Sequence, residues 1–267
     1  MRFTKMHGIG NDFILIDCFH QSLDNPSALA QKICSRHFGV GANGLILALP
    51  SETCHARMRI FNSDGSEPEM CGNGIRCLGR FLLDEGLCHK TPMTIETNAG
   101  IKTLAFEPDG QITVDMGMPC FDPREIPVSS PSNTITLPLN GREATFFCVS
   151  MGNPHAVTFD AFPDQEAFLQ LGPALENHPI FPRRANIEFC RVAQDGGVDV
   201  KVWERGAGPT LACGTGACAV LAAGASLGLI ERDSIIHLPG GDLRVRWTQD
   251  GHLMMTGPAE TICHGEI

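Results

Sequence analysis

The chain has 267 residues, 43% of them apolar and 19% charged, and a formal net charge of −10. That length fits one large or two medium domains with enough apolar side chains for a sizeable core, which excludes global disorder. The acidic balance sets most of the surface against a nucleic-acid backbone or an anionic membrane, so neither is an expected partner.

In chain order, FTKMHGIG and DFILIDCF read as strands. No apolar run long enough for a signal peptide follows Arg2 and Lys5, so the expected location is cytoplasmic and the 12 cysteines are expected to be mostly reduced. Asn25-Pro26 opens a helix through about Arg36, with Asn as cap and Pro at the first helical position. LILALP and ARMRIFN follow as strands, then a helix from Gly72 to Glu85 stopped by Gly86. MTIETNAG, IKTLAFE and ITVDMG read as strands. The next stretch carries Pro119, Pro123, Pro127 and Pro131, which resist regular structure and mark a linker. Beyond it TFFCVSM and HAVTFD read as strands, Asp164–Leu171 as a short helix, and IEFCRV and VDVKVWE as strands. A helix from about Gly214 to Leu227 is apolar on most sides, hence surrounded by protein; IIHLP, LRVRW and HLMMTG close the chain as strands.

The order repeats itself. Cys71 and Cys213 are 142 residues apart, as are Asn11 and Asn153, and Asp109-Gly110 precedes Asp250-Gly251 by 141. Several matches in one order imply internal duplication. The expected fold is α+β: two similar domains related by a pseudo-two-fold, each a curled, mainly antiparallel sheet around a buried helix. Residues 1–117 form the first, carrying Cys71; 118–133 the Pro-rich linker; and 134–260 the second, carrying Cys213. The tail 261–267 is expected to pack back onto the first.

MCGNGIRC and ACGTGACA each place Cys-Gly-x-Gly at a helix start. Free N–H groups of the first turn favour thiolate over thiol there. A helix terminus contributes up to ~2 kcal/mol when partly buried, enough to lower a thiol from ~8.5 to roughly 7. Two such sulfurs facing one small cavity share one proton, and a thiolate and a thiol on opposite faces of a carbon can invert it. The bland alternative for any cysteine is a small buried hydrophobe, the expectation held for the other ten, Cys77 and Cys218 included. A zinc site is the other alternative, but C-x₅-C and C-x₄-C running into helices, with no following His, suit it poorly, so no metal is expected.

Jointly KMHGIGNDF, RIFNSDGSEPEMCGNGIRC, SMGNPHAV, RRANIEF and WERGAGPTLACGTGACA resemble the diaminopimelate epimerases along most of the chain. The resemblance implies a cofactor-independent, two-base interconversion of LL- and meso-diaminopimelate, a diamino diacid, serving lysine and cell-wall precursor synthesis. It implies Cys213 as proton acceptor and Cys71 as donor in the LL-to-meso direction, with roles exchanged in reverse. The N–H groups of Gly72, Asn73, Gly214 and Thr215 are implied to hold the reacting carboxylate. Asn62, Asn153, Asn186, Glu204 and Arg205 are implied to read the far end of the substrate, with Asn11 also lining the site. His155 and Glu204 are implied to tune the sulfurs, and the assembly is implied to be a homodimer. Reversible oxidation of the two thiols in air is a further expectation. Asn43-Gly44 departs from the family's usual Asp-Gly or Asp-Gln, and Gly44 can make no side-chain contact. A racemase of another amino acid, such as proline or hydroxyproline, and a thiol-rich metal-binding module are the alternatives.

Overall fold

A computed structural model describes residues 1–139 and 141–267. The chain divides into two units, Met1–Asp115 with Thr256–Ile267, and Met116–Met255.

In the first unit the elements are β1 (Arg2–Gly8), β2 (Asn11–Asp17), α1 (Pro26–Ile33), β3 (Gly44–Leu49), β4 (Ala56–Asn62), α2 (Gly72–Asp84), β5 (Met93–Thr97), β6 (Gly100–Phe106) and β7 (Ile112–Asp115). β1 pairs antiparallel with β2, β3 with β4, and β5 and β7 flank β6 antiparallel. Parallel links join β2 to β3 and β4 to β5. The central strands are apolar on both faces because a helix covers each face. Ile14, Ile16, Leu45, Leu47 and Phe61 pack with Ala30 and Ile33 of α1. α2 packs against β1, β2, β3, β4 and β7, burying Ile75, Leu78, Phe81 and Leu82. Each such side chain contributes about 1.5–3 kcal/mol of burial. α1 starts as expected, the Asn25 side chain accepting the Ala28 N–H at 3.1 Å ahead of Pro26. It ends at Ile33, a turn short of Arg36.

The second unit follows the same plan. It contains β8 (Thr134–Leu139), β9 (Arg142–Ser150), β10 (Pro154–Thr158), α3 (Gln165–Glu176), β11 (Asn186–Val192), β12 (Val198–Glu204), β13 (Gly208–Pro209), α4 (Gly214–Ser226), β14 (Asp233–Leu238) and β15 (Gly241–Trp247). β16 (Leu253–Gly257) runs across the unit boundary and β17 (Glu260–Glu266) pairs antiparallel with β1 of the first unit. The parallel links recur at the matching places, β10 to β11 and β12 to β14. An offset of 142 carries β4 onto β12 and α2 onto α4 residue for residue. α4 packs against β9, β10, β11, β14 and β15, and all but three of its 13 residues are buried.

Residues 118–133, expected as a linker, lie within the second unit, where Ile126 and Val128 join a core with Phe146, Phe168, Leu175 and Phe189. α3 runs through Pro173 to Glu176, beyond the expected stop at Leu171. β8, β13 and β17 are strands that the apolar patterning does not announce.

Candidate active site

In each unit the cysteine of the Cys-Gly-x-Gly motif is the N-cap of the buried helix. Cys71 and Cys213 both have extended backbone, and their sulfurs accept the N–H of Gly74 at 3.5 Å and Gly216 at 3.3 Å. Sulfur takes the place of the usual Ser or Asp oxygen because its lone pairs reach the same third N–H. Small residues are needed in that turn. A Cβ at Gly74 would lie 3.0 Å from Ile46, and one at Gly216 would lie 3.0 Å from Glu188 Oε1 and 3.1 Å from Cys213 Sγ.

Around Cys71, the first unit places Asn11, whose Nδ2 donates toward the sulfur at 4.0 Å. Asn11 Oδ1 accepts from Asn43 Nδ2 at 2.9 Å, and Asn43 Oδ1 accepts from Arg36 at 2.5 Å. Arg36 and Lys5 also pair with Asp12 and hold its carboxyl below the usual range against the opposing effect of burial. Asn73 is buried, its Oδ1 accepting from Arg76 at 2.9 Å. Arg76 is itself fully buried and anchored on the Gly72 and Pro258 carbonyls, so the first turn of α2 is pinned from inside. Asn62 is exposed at the end of β4, its Nδ2 donating to Ser66 Oγ at 3.0 Å. Gly44 lies beside Phe61: a Cβ there would sit 2.7 Å from the Phe61 carbonyl oxygen, so this backbone leaves no room for a longer residue.

Around Cys213, the second unit gathers Thr215, Glu204, Asn153, His155 and Glu188. Thr215 Oγ1 is 3.5 Å from Cys213 Sγ and accepts from Asn153 Nδ2 at 3.3 Å. Asn153 Oδ1 faces His155 Nε2 at 3.0 Å, and His155 Nδ1 faces Glu188 Oε1 at 2.6 Å. Glu204 accepts from Thr210 at 2.5 Å. Burial lifts its carboxyl above the usual range, partly offset by the bond from Thr210 and one from Cys213. Asn186 is buried, its Nδ2 donating to the Pro154 carbonyl at 2.8 Å and its Oδ1 accepting the Arg205 N–H at 2.9 Å. That bond orients Arg205, whose exposed guanidinium donates to the Arg183 carbonyl at 3.3 Å.

The thiol of Cys213 is not lowered by its helix start. Burial pushes it well above the ordinary range, the Glu204 and Glu188 carboxylates add to the rise, and the bonds from Thr215 and Gly216 offset only part of it. Removing a sulfur from water costs the charged form more than one helix turn returns. Sequence patterning does not single out Glu188. The available signal was an acidic residue flanked by Ile187 and Phe189 in a strand, which is either exposed or buried for a purpose.

Solved structures share this architecture. A hydroxyproline epimerase from Agrobacterium vitis superposes with a TM-score of 0.72, covering 99% of this chain and 91% of its own at 17% identity. A phenazine biosynthesis protein of the PhzF family from Bacillus anthracis does so with 0.69, covering 100% and 98%, also at 17% identity. The class defined by this fold is therefore the one shared by these epimerase and PhzF structures. Within it, the family model for diaminopimelate epimerase matches residues 3–121 and 147–262. Diaminopimelate epimerases from Acetivibrio thermocellus and Desulfitobacterium hafniense are 48% and 49% identical, each over 100% of this chain and 98% of their own. The chain belongs to the diaminopimelate epimerase family.

Proposed function

We propose that the protein is a cofactor-independent isomerase interconverting LL- and meso-diaminopimelate. The observation that carries this is the pair of cysteines capping equivalent buried helices, in a chain nearly half identical over its length to diaminopimelate epimerases. Inversion at a carbon needs a base on one face and an acid on the other, and one thiol per unit supplies each. Cys213 takes the Cα proton of the LL form while Cys71 gives one, and the reverse reaction exchanges them. Each sulfur lies at a helix start, where the backbone N–H groups of the first turn are suited to a carboxylate. Those of Gly72, Asn73, Gly214 and Thr215 are the donors assigned to the reacting carboxylate, whose developing charge they stabilise.

Burial and the neighbouring carboxylates, which hold the Cys213 thiol protonated, fit a group that must not be permanently ionised. An ammonium group of the substrate arriving beside Glu204 offsets the carboxylate charge that holds the thiol protonated. Asn62, Asn153, Asn186, Glu204, Arg205 and Asn11 are assigned to substrate recognition, with Arg205 offering a carboxylate its bidentate fork. His155 and Glu204 are assigned to tuning the sulfurs. Assembly as a homodimer and a cytoplasmic location complete the proposal.

Substrate profiling tests it. LL- and meso-diaminopimelate should interconvert without added cofactor, while proline and hydroxyproline should not be turned over. Turnover of an imino acid instead of the diamino diacid contradicts the proposal.

A further inference from the structure

The second unit buries an ionisable pair that the proton transfers themselves do not require. Glu188 and His155 are fully inaccessible to solvent and 2.6 Å apart, and Glu188 Oε2 is buried with no hydrogen-bond partner among the described residues. The strands place them together: the parallel register of β10 and β11 sets His155 beside Asn186, two residues before Glu188. The carboxyl lies under the first turn of α4, where only a glycine at 216 leaves space for it and for Cys213 Sγ. Among the described residues, the other titratable groups that face Glu188 are Cys148 on β9, Cys190 on its own strand, Glu204 on β12 and Cys213 at the start of α4, and of the whole set only His155 can bring positive charge.

From this pair a continuous chain of contacts leads to the sulfur: His155 Nε2 to Asn153 Oδ1, Asn153 Nδ2 to Thr215 Oγ1, Thr215 Oγ1 to Cys213 Sγ. We propose that Glu188 is a positioning residue for Cys213, and that a proton held between Glu188 and His155 decides whether Thr215 offers that sulfur a hydrogen or a lone pair.

The donor and acceptor inventory fixes the logic. With the extra proton present, on either member of the pair, Nε2 carries a hydrogen and donates it to Asn153 Oδ1. Asn153 then donates its N–H to Thr215, whose own hydroxyl hydrogen is left for the sulfur, which favours thiolate. When that proton is lost to solvent, the one remaining ring hydrogen belongs on Nδ1, facing the carboxylate. Nε2 then presents a lone pair, the Asn153 amide turns over to donate to it, and Thr215 gives its hydrogen to Asn153 Oδ1. Thr215 is left with only lone pairs for Cys213, which favours thiol. The unpartnered Oε2 disfavours the bare carboxylate and so favours the proton-holding state.

The first unit gives the contrast. Its chain runs from Arg36 through Asn43 and Asn11 to Cys71. Arg36 can only donate, so both amides are locked with a donor toward the sulfur. Asn11 and Asn153 are equivalent under the duplication, but one relay ends on a guanidinium that can only donate and the other on an imidazole whose Nε2 can donate or accept.

The proposal rests on reading Cys213 as a proton acceptor. Its test needs no turnover, so either can fail without the other. The rate of iodoacetamide alkylation is measured for the Cys71 and Cys213 peptides of the ligand-free protein as a function of pH. In both Glu188→Gln and Thr215→Val the Cys213 profile should move by about one pH unit or more, because the donor to the thiolate no longer follows the pair's proton. The Cys71 profile should stay where it is and serves as an internal control of folding. Should Glu188→Gln not fold, Glu188→Asp, which draws the carboxyl back from Nδ1, takes its place with the same expectation. A Cys213 profile unchanged in either variant, or equal movement of both cysteines, overturns the proposal.

Discussion

A sulfur that caps a helix feels two opposed effects, and at Cys213 they can be ranked. The N–H of Gly216 and the Thr215 hydroxyl favour thiolate, while burial and the carboxylates of Glu204 and Glu188 favour thiol, and the second set prevails. The motif spacing revealed the cap but not the carboxylates, because Glu188 and Glu204 reach Cys213 only through the pairing of β10, β11 and β12. Asn11 and Asn153 are legible through their common offset, and both lie in contacts leading to a helix-capping cysteine sulfur. The glycine between Cys213 and Glu188 is the sharpest single-residue test. Gly216→Ala puts a methyl 3.0 Å from Glu188 Oε1 and 3.1 Å from Cys213 Sγ. Displacing a reacting group by even a fraction of its working distance costs up to about 100-fold in rate. We expect kcat to fall by about 10–100-fold, as measured by coupled assay; an unchanged kcat argues against a tightly placed sulfur.

At the scale of elements, α2 and α4 were readable because cap, small first turn, apolar body and stop all agree. Read from the sequence, α3 stops early because Gly172-Pro173 looks like an ending. Gly172 is instead where the helix meets Trp203: a Cβ there would lie 2.3 Å from the indole ring. The same ring donates to Glu176 at the helix end. Gly172→Ala should therefore destabilise the protein by about 1–3 kcal/mol, seen as a lower urea midpoint, rather than stabilise it as alanine does in an open helix. A midpoint at or above that of the unchanged protein would show that Trp203 can move aside. β17 is not legible in the sequence because ETICHGE is polar and largely exposed, and it becomes a strand by pairing with β1, some 260 residues away in sequence. β8 hid behind Pro138 and the proline-rich stretch before it.

Across the whole molecule, many cysteines are held as neutral thiols. Burial raises Cys34 to about 11 and Cys77 and Cys148 to about 12, and lifts Cys190 and Cys213 well above the ordinary value. In the unfolded chain these thiols ionise near ~8.5. Above that pH the unfolded state has released protons that the folded state keeps. Their contribution to stability is therefore complete below about pH 8.5 and is lost as pH rises through the folded values, by more than about 1 kcal/mol per pH unit for each thiol. Urea midpoints should fall between about pH 8 and about pH 10, and a flat profile would contradict the burial of these groups. The duplicated plan was legible from the constant offset, and the family from the joined motifs. The chain's exact division was not, since residues 118–133 look like a linker until Ile126 and Val128 are seen in a core. The central claim, that two thiols divide the work on one carbon, is tested by isotope exchange in heavy water. Cys71→Ala and Cys213→Ala should each lose inversion almost entirely while retaining slow Cα exchange on opposite epimers. The LL form should exchange where Cys213 remains, the meso form at its D centre where Cys71 remains, and neither in the double variant. A single variant that still inverts the centre at near the unmodified rate would contradict the account.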